Sequence, residues 1–165
     1  MLIRFANFPD IDAIVEMGAI ATRNGAWAPI STFDVGTARK SVSQSIEEGL
    51  SFVAEHEGRV VGCILHRMMS WVFSESQKYL EAIHFHVEPA ARRLRDDRLG
   101  LLTAEALLQA SKDLANATDL HVYASMMWGP RIEVRDRFMR KAGFSSVGGT
   151  FVFAPNATEA MQAAE

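Results

Sequence analysis

A single cysteine, Cys63, stands in the whole 165-residue chain. No internal disulfide can form, so nothing in the sequence asks for an oxidising compartment. No apolar run approaches the roughly 20 residues that a membrane-spanning helix needs. The first ten residues, MLIRFANFPD, have neither the charged start nor the apolar stretch of a secretory signal. An excess of one charge is also missing. The formal net charge is −3, which gives no electrostatic case for nucleic acid or a membrane surface as partner. Repeats and low-complexity linkers are absent apart from the tail NATEAMQAAE, which is expected to fray. These absences point to a cytoplasmic protein with one domain over residues 1–153 and a short tail over 154–165. Hydrophobic residues make up 48% of the chain, enough for a sizeable core.

What is present is an alternation of strand and helix signals. Leu2–Phe5 reads as a first strand. Pro9-Asp10 opens a helix with Asp10 as cap, and Ile11, Ile14, Val15 and Gly18 recur at helical spacing to about residue 22. Asn24-Gly25 breaks it. Residues 26–33 are irregular, with Trp27 and Phe33 as packing residues or as a flap over a pocket. Asp34–Glu48 is a second helix stopped by Gly49. Ser51–Glu55 and Val60–Met69 flank Glu57-Gly58, a hairpin turn signal. Residues 71–76 read as a connection, and Tyr79–Val87 as a strand rich in aromatic and β-branched residues. A long amphipathic helix over Asp97–Ala117 is followed by a strand, Leu120–Ser125. After the Gly129-Pro130 break come a helix over Ile132–Ala142, capped by Gly143, and a last strand region, Ser146–Phe153, with a bulge at Gly148-Gly149. Tyr79–Val87, the long helix and Leu120–Ser125 make a β-α-β unit, so those two strands should be parallel. The earlier strands form an antiparallel meander.

Four stretches in this order resemble the GCN5-related N-acetyltransferase (GNAT) family: IRFANFPDIDAIVEMG, FVAEHEGRVVGCI, EAIHFHVEPAAR and RDRFMRKAGFSSVGG. The resemblance covers residues 2–153 and is nearest to short stand-alone members from bacteria and bacteriophages. It implies an α/β fold with a mixed, mostly antiparallel sheet, flanking helices and a parallel pair of strands that splay apart. It further implies acetyl-CoA as co-substrate, its pantetheine arm paired to the backbone of Phe85, His86 and Val87. The pyrophosphate would lie on the turn that follows, against a helix N-terminus. In the family that turn is glycine-rich. Here it holds Arg92, Arg93, Arg95 and Arg98, with Gly100 the one glycine in place, so side-chain forks would replace a glycine nest.

The resemblance implies Glu81 as the base that takes a proton from the acceptor amine through water. His84 and His86 are alternative bases by their chemistry at neutral pH. Regular alternation along the strand puts both on the face opposite Glu81. The tyrosine that family members often use to protonate the leaving thiolate is replaced by Phe138, and a frequent asparagine by Arg131. Tyr123 is the candidate for the missing hydroxyl. His84, His86 and His121 also raise a zinc-like reading, although no metal is assigned. Met126, Met127 and Trp128 read as core or pocket wall. Two functions remain open: acetyl transfer to a small-molecule or peptide amine, and a catalytically degenerate GNAT-like module kept for binding. A homodimer or assembly partner is compatible with apolar residues such as Trp27, Trp71 and Phe73.

Overall fold

A computed structural model gives the structure of residues 1–24, 32–88, 98–125, 132–147 and 150–153. In chain order the elements are β1 (Leu2–Phe5), a 3-10 turn (Phe8–Asp10), α1 (Ile11–Asn24), α2 (Val35–Glu47), β2 (Ser51–His56), β3 (Arg59–Trp71), β4 (Ser74–Val87), α3 (Arg98–Thr118), β5 (Val122–Ser125), α4 (Ile132–Lys141), β6 (Ser145–Val147) and β7 (Thr150–Phe153). The seven strands form one sheet in the order β1-β2-β3-β4-β5-β7-β6. Every neighbouring pair is antiparallel except β4 and β5. These two run parallel because α3 carries the chain back across the sheet between them. The mixed α/β sheet is the one the sequence implies.

Three local expectations need correction. Asp10 is not the helix cap. It belongs to the 3-10 turn and is 6% exposed. Its carboxylate accepts from both terminal nitrogens of Arg4, at 2.7 and 2.9 Å, and from the Asn7 N–H at 2.8 Å. Burial works against its charge, yet these donors outweigh burial and hold the carboxyl below its ordinary range. Residues 71–76 are not a separate connection either. β3 and β4 run on into a long hairpin in which Trp71 pairs with Ser74. The region Ser146–Phe153 is two strands rather than one with a bulge: β6 and β7 pair antiparallel, Val147 opposite Thr150, and β7 inserts between β6 and β5.

Helices cover both sheet faces. On one, Leu107, Leu108 and Ala115 of α3 and Met139 of α4 pack on Ile64, Leu80, Val87 and Val122. On the other, Ile14, Val15 and Met17 of α1 and Val42 of α2 pack on Val53, Cys63 and Leu65. β3 lies between the two, and Val61–His66 is buried without a break. Phe33 joins the second cluster over Gly18, the packing alternative for that residue. At Gly62 α3 lies close against the sheet. A Cβ there would meet Thr103 at 3.0 Å, the His86 carbonyl at 3.1 Å and Leu107 at 3.2 Å. His66, fully buried, bridges the core: its Nδ1–H donates to the Leu50 carbonyl at 2.8 Å, and the Ser111 hydroxyl donates to Nε2 at 2.7 Å. Among the described residues no helix is long and apolar enough to cross a membrane.

Candidate active site

The site is built on β4, where two irregularities meet. The first is the short pairing with β5. Leu80, Glu81 and Ala82 pair with Val122, Tyr123 and Ala124, and there the ladder ends. Among the described residues no strand pairs with the β5-facing edge of residues 83–87. On its other side this segment stays bound to β3, with Phe85 opposite Ile64, His86 opposite Cys63 and Val87 opposite Gly62. Among the described residues, Phe85 and Val87 therefore have no strand partner on this edge, which an extended ligand can complete as an added strand.

The second irregularity is a bulge. Leu65 pairs with His84 while His66 pairs with Ala82, so Ile83 is an extra residue in β4. An extra residue reverses the alternation of side chains beyond it. Cross-strand partners share a face. Leu65 and Cys63, the partners of His84 and His86, belong to the α1–α2 cluster, as does Ile83 itself. Ala82 and Leu80 pack with the α3 cluster, which leaves Glu81 on the α1–α2 face. Glu81, His84 and His86 thus share a face, and the expectation of opposite faces is overturned. Regular alternation holds only in an unbulged strand.

Tyr123 lies on this face too, as the register partner of Glu81 across the parallel pair. Burial, and then Tyr79, push its phenol above the ordinary value, so it stays protonated at neutral pH. Glu81 itself is half-buried and faces Arg67 across β3–β4. The two form no ion pair, and no described residue donates a hydrogen bond to the Glu81 carboxylate. His84 stacks on His86 with ring centroids 6.0 Å apart and planes 8° from parallel. Burial, with His86 as the lesser cause, pushes the His84 imidazole down to about 4, so it is neutral near pH 7. Its Nε2 is enclosed and has no hydrogen-bond partner among the described residues.

The remaining candidates divide. Arg98 is the exposed first residue of α3 and Gly100 is buried two residues on. Arg92, Arg93 and Arg95 lie outside the described residues, as do Trp27, Met126, Met127, Trp128 and Arg131. Phe138 is half-buried against the α3 cluster. His121 is exposed ahead of β5, where its carbonyl accepts from the Leu80 N–H at 2.8 Å. It does not join His84 and His86, and no group of three or more metal-capable side chains occurs among the described residues.

Tyr79 was not among the sequence candidates, and Trp71 was one only as an apolar contact residue. Tyr79, Trp71 and Tyr123 contact one another with ring centroids 5.0–5.4 Å apart. The period-two spacing of Tyr79 and Glu81 was the available signal. An open apolar groove of about 600 Å³, between β1 and α3, lies three strands from β4 and includes none of the candidate residues.

No protein-family model matches the chain, and no curated protein matches it in sequence. Solved structures do match in fold. A ribosomal-protein-alanine N-acetyltransferase from Brucella melitensis superposes with a TM-score of 0.69 at 19% identity, over 92% of this chain and 96% of that one. An N-acetyltransferase from Staphylococcus aureus Mu50 gives 0.70 at 18% identity, over 94% and 98%. A GNAT family acetyltransferase from Brucella melitensis, solved in complex with acetyl-CoA, gives 0.61 at 19% identity, over 94% and 88%. The fold is that of the GNAT acetyltransferases.

Proposed function

We propose that the protein is an N-acetyltransferase that moves the acetyl group of acetyl-CoA to an amine by direct attack. The observation that supports this reading is the β4 edge over residues 83–87, which no strand pairs among the described residues and which adjoins Glu81 and Tyr123. The pantetheine arm would lie along that edge as an extra strand. Arg92, Arg93 and Arg95, with Arg98 and Gly100 at the start of α3, would hold the pyrophosphate through guanidinium forks and the helix N-terminus.

The acceptor arrives as an ammonium ion, and Glu81 takes its proton through water. The free amine nitrogen attacks the thioester carbonyl carbon, the carbon–sulfur bond breaks, the thiolate takes the Tyr123 phenolic proton, and the second proton of the attacking nitrogen passes to the Tyr123 phenolate, which restores the phenol. The products are an acetamide and CoA. Tyr123 is available for the acid role because its phenol is protonated at neutral pH and it pairs in register with Glu81. His84 is held neutral by burial and stacks on His86 with its Nε2 enclosed, so Glu81 rather than His84 is the base. A small-molecule or peptide amine fits as acceptor.

The second reading, a GNAT-like binding module, is favoured by Phe138, which packs half-buried against the core and brings no hydroxyl. Turnover decides. CoA release measured over a panel of amines should be acetyl-CoA-dependent, and Tyr123→Phe should depress it. Absence of CoA release with every amine, in protein that binds acetyl-CoA, would select the binding module.

A further inference from the structure

Trp71, Tyr79 and Tyr123 form a corner that neither core cluster includes. The Trp71 and Tyr123 rings meet edge-on at 87°, the two tyrosines at 72°, and Trp71 tilts 44° to Tyr79. The corner stands where β3 and β4 leave the body of the sheet. Beyond it, Val72 and Phe73 at the hairpin end are 88% and 99% exposed, so no core closes over this end. Trp71 keeps 42% of its surface open, and neither tyrosine hydroxyl has a hydrogen-bond partner among the described residues. A ring cluster that is neither buried nor tied by its polar ends is built to meet something.

Its position says what. Tyr123 is the register partner of Glu81, and Tyr79 is two residues before Glu81 on the same face. Two residues of strand span about 7 Å. A flat ring packed on the corner can therefore reach the Glu81 carboxylate with an amine on a short carbon arm. Aromatic faces favour flat apolar partners and tolerate the approaching ammonium.

We infer that this corner is the acceptor subsite, and that the acceptor is a primary amine carried on a flat aromatic body. The inference rests on the acetyltransferase reading of β4, and its test keeps the two apart. The full-length protein is first titrated with acetyl-CoA and then with 2-phenylethylamine, followed by ligand-observed NMR. Steady-state CoA release is compared for 2-phenylethylamine and ethanolamine. The expected result is ring contact in the NMR signal and a kcat/KM at least about tenfold higher for the aromatic amine. Trp71→Ala and Tyr79→Leu should raise KM for that amine by roughly tenfold, the loss of two ring contacts, and leave the acetyl-CoA thermal shift unchanged. Trp71→Leu serves if the alanine variant does not fold. Equal use of ethanolamine, or an unchanged KM in the variants, overturns the inference. If acetyl-CoA does not bind, the acetyltransferase reading fails by itself. The NMR contact of 2-phenylethylamine, lost in Trp71→Leu, then still supports the subsite, and its absence in the unaltered protein overturns it.

Discussion

At Ile83 one extra residue in β4 decides which side chains can act together. Without it, Glu81 would face away from His84 and His86, as plain alternation requires. With it, all three look toward α1 and α2, next to Tyr123. Each of these residues was visible in the sequence as a candidate, but their grouping was not. A bulge leaves no mark in composition or periodicity when the extra residue is an ordinary isoleucine. Glu81→Gln removes the proposed proton acceptor and keeps the shape. It should lower kcat by about 10²-fold or more while the thermal shift with acetyl-CoA is retained; steady-state kinetics beside a melting curve reads both. Histidine titration gives a second check. His84 is near 6.5 when exposed and about 4 in the folded chain. Above pH 6.5 both states hold it neutral and its contribution to stability is constant. As pH falls toward 4 the unfolded chain takes up the proton first, so stability is lost through that window. His66, also held below its ordinary value by burial, acts in the same direction. Urea unfolding between pH 7 and 4 should show this loss, with a shallower slope in His84→Gln.

Among the elements, β3 and α3 fix the geometry that β4 displays. Gly62 in β3 lets α3 lie against the sheet, and its partner across the ladder is Val87, at the end of the open edge. Gly62→Ala has no room without moving Thr103 or Leu107. It should destabilise the chain by about 1–3 kcal/mol, read by urea denaturation, and weaken acetyl-CoA binding because α3 shifts against β4. Ser111 of α3 and His66 of β3 tie the same two elements through a buried hydrogen bond. Ser111→Ala leaves the enclosed Nε2 without its donor and should cost about 1–3 kcal/mol in the same assay. Element identity was largely legible because most segments announce their ends. Asp34 caps α2, its carboxylate accepting from the Thr37 N–H at 2.6 Å, and Glu57 and Gly58 take the positive φ angles of a tight hairpin. Asp10 misled because a lone acidic residue before a helix has the same signature whether it caps the helix or pairs with Arg4. The continuation of β3 and β4 past Met69 was hidden because Val72 and Phe73 make an apolar hairpin end where turn residues are the norm.

For the whole molecule, the order of four resembling stretches carried more than any one of them. It implied a mixed sheet with one parallel pair, and the seven-stranded sheet with β4 beside β5 has that form. Long-range pairing follows from the β-α-β crossover, so it could be read; Gly148-Gly149 was visible as an interruption too, but a glycine pair fits a bulge within one strand as well as the boundary between the paired strands β6 and β7. The sheet places the open β4 edge on one side of Glu81 and the aromatic corner on the other. A ligand entering along β4 and a second one at the corner would meet at that residue. This two-sided arrangement requires that the chain bind acetyl-CoA. The most direct measurement is therefore the melting temperature of the full chain with increasing acetyl-CoA. At 100-fold above the dissociation constant the stabilisation is about 2.7 kcal/mol, which for a chain of this length raises Tm by roughly 5–10 °C. A saturable rise of that size is the predicted result, and an unchanged Tm at millimolar acetyl-CoA would contradict the account.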